Sequence, residues 1–68
     1  MILINNKAIM IGTKFIMKPG ECNIYKVTDK EVIFERLDMH NFGVRFMDRL
    51  FIDQFKHMVE NNLIKILG

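Results

Sequence analysis

The chain has 68 residues, half of them hydrophobic and 26% charged, with a net charge of +2 and one cysteine. That length allows a single hydrophobic core and no second domain, and the apolar content excludes a disordered chain. The lone Cys22 excludes an internal disulfide and a cysteine-based zinc cluster, and so mild a charge excludes a strongly basic nucleic-acid binder.

The chain opens on "MILI", an apolar run far too short for a signal peptide or a membrane span. With the single cysteine, this points to a soluble cytoplasmic protein in a reducing compartment, with no membrane partner. "NNK" follows as a turn-prone pair of asparagines. "AIMIGTKFIMK" then alternates with period two, which reads as a strand. Ile9, Ile11, Thr13, Phe15 and Met17 fall on one side; Met10, Lys14, Ile16 and Lys18 fall on the other. Gly12 inside that run predicts a bulge or a bend.

"KPGE" is a turn, because Pro19 fixes φ and Gly20 accepts positive φ. "NIYKV" and "EVIFERL", joined by "TDK", predict a β-hairpin over Tyr25 to Leu37. "DMHNFG" is a loop and "VRFM" a last short strand. From about 49 to 67 the pattern turns helical. Phe51, Ile52, Phe55, Met58, Val59, Leu63 and Ile66 share one arc of a helical wheel, and Asn62 is the residue that intrudes on it. Asp48 is the expected N-cap and Gly68 stands where a C-cap glycine would. Leu50, Ile64 and Leu67 lie off the arc. An arc of that width suits a lid over one sheet and leaves no second stripe for a partner.

The expected architecture is a single α+β domain, mainly β: a body over residues 1–47 and a C-terminal amphipathic helix packed on it. Four or five short antiparallel strands would form a small curled sheet or an SH3-like barrel. This is a likeness of layout, carried by the order of elements and by no motif.

Chemistry is hard to find. His40, His57, Cys22, Asp38 and Asp48 are potential metal ligands, but no two share an element at ligand spacing, so no metal or other cofactor is expected. Cys22 lacks an evident base and orienting group, and no Gly-rich loop precedes the helix to cradle phosphate. Glu31, Glu35 and Asp38 read as an ordinary solvated edge. The sequence therefore predicts a protein without catalytic residues, not an enzyme.

Two surface features remain. The first is the outward side of the early strand, Met10, Lys14, Ile16 and Lys18, joined by Ile24 and Lys26 if the register holds. Lysines between apolar residues could grip an anionic partner, or could simply guard a sheet edge with Ile16 and Ile24 turned inward. The second is "LDMHNFGVRF", which sets Met39, His40 and Phe42 beside Arg45 and Arg49. Such a group could anchor a protein or stack on bases; alternatively Phe42 plugs the core and Arg45 pairs with Asp38 or Asp48.

The leading expectation is a small protein that binds another protein as inhibitor, adaptor or regulator. The alternative is a nucleic-acid module with Lys14, Lys18 and Lys26 on phosphates. Residues 1–28 do hold the cationic surplus, with four lysines against Glu21. Self-association through "MILI" is compatible with either. Ten Ile, six Asn and seven Lys against one Ala suggest an AT-rich coding source, as in a low-GC bacterium or its phage.

Overall fold

The computed structural model describes residues 2–17, 20–38 and 43–67, with the Asp38 side chain left aside. Its elements are β1 (Ile2–Ile4), β2 (Lys7–Ile9), β3 (Lys14–Met17), β4 (Gly20–Val27), β5 (Glu31–Asp38), β6 (Val44–Phe51), α1 (Ile52–Glu60) and β7 (Lys65–Ile66). β1 and β2 form their own two-stranded sheet. The other five form an antiparallel sheet in the order β6-β5-β4-β3-β7, and no ladder joins β6 to β7 among the described residues. The fold is mainly β with one C-terminal helix, as the alternation predicts.

Local chemistry explains most boundaries. Asn5 and Asn6 both have positive φ, 51° and 65°, and connect Ile4 directly to its partner Lys7. That is the backbone of a type I′ hairpin turn, which asparagine tolerates better than most residues. Gly12, at φ 89°, splits the long predicted strand into β2 and β3. Thr13 N–H donates to the Met10 carbonyl at 3.0 Å, closing the turn, and Met10 N–H donates to Thr13 Oγ1 at 3.1 Å. The turn lifts Ile11 off the inward side, where the alternation put it, and leaves it 72% exposed.

Lys18 and Pro19 of the "KPGE" turn lie outside the described residues, but Met17 stands opposite Gly20. β4 and β5 form the predicted hairpin around "TDK", where Thr28 Oγ1 accepts from the Lys30 and Glu31 N–H groups. The β4 register shifts between Ile24 and Lys26, which is a bulge.

The helix is shorter than predicted. It starts at Ile52, and residues 49–51 belong to β6, paired with β5 as far as Glu31–Phe51. From Arg45 to Phe51 polar and apolar residues come in pairs rather than alternating. It is the pairing with β5, and not a local period, that holds these residues as a strand. Phe51, not Asp48, is the N-cap residue; its N–H donates to Gln54 Oε1 at 3.3 Å. The helix ends at Glu60 because Asn62 takes φ 61°. Asn62 N–H then donates to the Val59 carbonyl, and Leu63 N–H to the Met58 carbonyl. This is a Schellman stop with asparagine in the glycine position. The chain returns as β7 beside β3, with Phe15 opposite Ile66.

The core lies between the inner face of the five-stranded sheet, α1 and the β1–β2 hairpin. Phe15, Phe34, Phe55, Ile9, Ile24 and Val32 are its largest fully buried side chains. Phe15 meets Phe34 and Phe55 edge-on, each with ring centroids 5.2 Å apart. Ile52, Met58 and Val59 pack against this cluster. The helix is thus the lid of the core. Phe51 and Leu63, placed on the same arc by the sequence, are each 59% exposed because they lie beyond the helix ends.

Candidate interaction face

The sheet has a second face with no layer on it among the described residues. Its members follow from alternation. Cys22 and Ile24 on β4, and Val32 and Phe34 on β5, point into the core. Their neighbours Glu21, Asn23, Glu31, Ile33, Glu35 and Leu37 therefore point out. On β6 the register adds Arg45, Met47, Arg49 and Phe51; on β3 it adds Lys14 and Ile16. Lys26, past the bulge, stands opposite Ile33, and Lys65 opposite Ile16.

The predicted residues are only partly brought together. Lys14, Ile16, Lys26, Arg45 and Arg49 all map to this outer face. Met10 lies apart, in the turn before β3, where it shares a shallow depression with Ile11, Lys26 and Val27. Ile24 does not join Lys26 on the surface: it is 2% exposed, and the bulge between them turns the two to opposite sides. Lys18, Met39, His40 and Phe42 lie outside the described residues. The "VRF" end of the second feature does reach the face, through Arg45.

Charge on the face is paired rather than uniformly basic. Arg45 Nη1 donates to Glu35 Oε1 at 3.0 Å, so among the described side chains its partner is Glu35 and not Asp48, while the Asp38 side chain lies outside the described residues. Arg49 Nε lies 3.5 Å from Glu31 Oε2. Both bridges cross from β6 to β5, and exposed pairs of this kind hold side chains in place more than they stabilise the fold. Lys14, Arg45, Glu21 and Glu35 surround a depression of about 150 Å³ that also touches Leu37. Ile33, Met47 and Arg49 line another with Asp48.

The opposite side of β6 has its own polar spot. Arg36 lies 3.6 Å from Asp48 and 5.8 Å from the centre of the Phe46 ring, a cation–π contact at the rim of the core. Cys22, opposite Arg36 across the ladder, is buried. Burial pushes its thiol pKa above the ordinary value, and the Arg36 charge offsets this only in part. A protonated buried thiol is a poor nucleophile. No group of three or more His, Cys, Asp or Glu side chains gathers at metal distance among the described residues.

Sequence reasoning missed the contribution of Ile33, Leu37, Met47 and Phe51. Ile33, Leu37 and Met47 fall in segments that the sequence predicts as strands, but neither "EVIFERL" nor "RFMDRLF" alternates, so no local period marks their outward side, and Phe51 falls inside the predicted helix. The chain matches no protein-family model, no curated protein and no solved structure. No helix among the described residues is long and apolar enough to cross a membrane.

Proposed function

We propose that this is a small non-enzymatic interaction module that binds another protein through the outer face of its five-stranded sheet, as an inhibitor, adaptor or regulator. One observation carries the reading. Ile16, Ile33, Leu37 and Met47 are interleaved there with charges of both signs, two of them Arg–Glu pairs already in place. An uncovered face that sets Arg45, Arg49, Met47 and Phe51 beside Ile16, Ile33 and Leu37 carries residue types enriched at protein interfaces. Glu21, Glu31 and Glu35 on the same face oppose a phosphate backbone. Lys14, Lys26 and Lys65 are what a nucleic-acid reading would rest on.

The test compares capture of partners from a host lysate by the wild type and by Ile33→Glu and Ile16→Glu, with and without nuclease. A stoichiometric protein that survives nuclease, and is lost with either folded variant, is the expected result. Binding that needs nucleic acid, with affinity falling at a log–log salt slope of roughly −2 to −4, would replace this reading with the lysine-face one.

A further inference from the structure

The edge strand β6 supports an inference that is independent of what the outer face binds. β6 has eight residues and, among the described residues, only β5 beside it, and Val44, Phe46, Met47 and Phe51 on it are 40–59% exposed. An edge of this kind is a template for another strand.

The ladder shows which backbone groups are free. Ile52 N–H donates to the Lys30 carbonyl at 2.9 Å, in the same register as the β5–β6 pairs. Hydrogen-bonded pairs alternate along an antiparallel ladder, so Val44, Phe46, Asp48 and Leu50 turn their backbone groups to β5. Arg45, Met47, Arg49 and Phe51 turn theirs to the open edge. Two of those four N–H groups are already used: Arg49 donates to Asp48 Oδ1 at 2.8 Å, and Phe51 to Gln54 Oε1. Arg45 and Met47 have no acceptor among the described residues. Among the described residues, the C-terminal half of the edge is closed by side chains and the N-terminal half is open.

We propose that the occupant of the open half is β6 of a second copy of this chain, paired antiparallel about a two-fold axis through Phe46. In that register Arg45 lies opposite Met47 of the second copy, and Met47 opposite its Arg45. Both free N–H groups of each chain then find carbonyls, giving four hydrogen bonds, and neither capped N–H is needed. The two Phe46 side chains form the non-hydrogen-bonded pair on the axis, where cross-strand side chains come closest. Neighbouring two-fold registers are worse. Centring on Arg45 sets that residue against itself, and centring on Met47 sets Arg45 against Arg49 and requires the N–H that Asp48 holds. Opposed like charges destabilise a strand pair. The pairing joins the two sheets edge to edge, so their outer faces become one two-fold surface.

The test is the solution mass and amide exchange of the full chain across a wide concentration range. The mass should rise from the 8.1 kDa monomer towards twice that value. Met47→Pro removes an outward N–H at a position where an edge strand tolerates proline, and should weaken association by about tenfold or more while the chain stays folded. Phe46→Ser should weaken it too, whereas Leu3→Lys on β1 should not. In the wild type, exchange of the Arg45 and Met47 amides should slow as concentration rises. A monomer at every concentration, a dimer lost with Leu3→Lys, or exchange at Arg45 and Met47 that ignores concentration would each overturn the proposal. Protection of the same amides only on adding a different protein would give the edge to that protein instead.

Discussion

The Phe55 ring stands edge-on against Phe15, centroids 5.2 Å apart and planes at 88°, and this contact fastens α1 to the sheet. Phe55 is the one helix residue that is fully buried. Truncating a buried Phe costs about 3–5 kcal/mol, a large share of the stability of a domain this small. Phe55→Ala is therefore expected to be largely unfolded, by circular dichroism and by an early urea midpoint. Phe51→Ala, four residues away and exposed, should stay within about 0.5 kcal/mol of the wild type. Equal effects would mean that residues 49–51 are helical after all and that Phe51 shares the buried face.

Gly20 and Gly12 are both needed, for different reasons. A Cβ on Gly20 would collide with the Leu37 carbonyl oxygen, a backbone atom that cannot move aside without disturbing β5. Gly12 has open space around it, but its φ of 89° strains any L side chain. Gly20→Ala should cost about 1–3 kcal/mol through overpacking, and Gly12→Ala about 1–2 kcal/mol through backbone strain. Gly12→Asn should recover part of the loss, because asparagine visits positive φ, while Gly20→Asn should recover none. Urea unfolding of the four variants separates the two causes.

Asn62 is the stop that shortens the helix, and its φ of 61° makes the Schellman hydrogen bonds possible. Asn62→Gly should be neutral or stabilising, and Asn62→Ala should cost about 1 kcal/mol. Thermal melts of the pair read the difference. If alanine were tolerated, the helix would be free to run on as the wheel suggests, and β7 would not form.

How far the fold can be read from the sequence depends on how local each cause is. Asn5–Asn6, Gly12 and the hairpin at "TDK" act within a few residues, and each is visible as a turn signal. The predicted strand at "VRFM" is present, but the helix expected from about 49 to 67 is too long at both ends. Phe51, Ile52, Phe55, Met58 and Val59 satisfy a helical arc, and Arg49 to Phe51 carry no local pattern that separates the last residues of a strand from the first turn of a helix. The β5–β6 register decided between them, and register is a long-range property. Leu50 was the local hint, since it lies off the arc and yet packs against the core. The second asparagine pair, Asn61–Asn62, is the same turn signal as the first, but it sat inside a convincing wheel. Lys14, Ile16, Lys26, Arg45 and Arg49 were each selected for residue type. Alternation places Lys14 and Ile16 on one side and expects Lys26 beside them, but that Ile24 turns away from Lys26 and that Arg45 and Arg49 join the same face depend on the bulge and on strand pairing.

Cys22 gives a pH-dependent readout of the same core. Burial is the main cause that raises its thiol pKa, with Asp48 adding to it and Arg36 and a backbone hydrogen bond from Met17 opposing it. The neutral thiol is the form the folded protein favours. A group whose pKa is raised on folding contributes its full stability below the unfolded pKa, and loses it as pH rises towards the folded one. The loss should therefore begin near the ordinary thiol value of 9.0 and continue above it, with nothing lost on the acid side from this group. Cys22→Val should flatten that part of the alkaline decline, measured as urea midpoints on either side of pH 9. The same burial predicts slow alkylation of the native thiol at neutral pH and rapid alkylation once urea unfolds the chain. Native labelling as fast as that of a free thiol would mean that the sheet opens beside Arg36 and Phe46 far more often than the packing of the core allows.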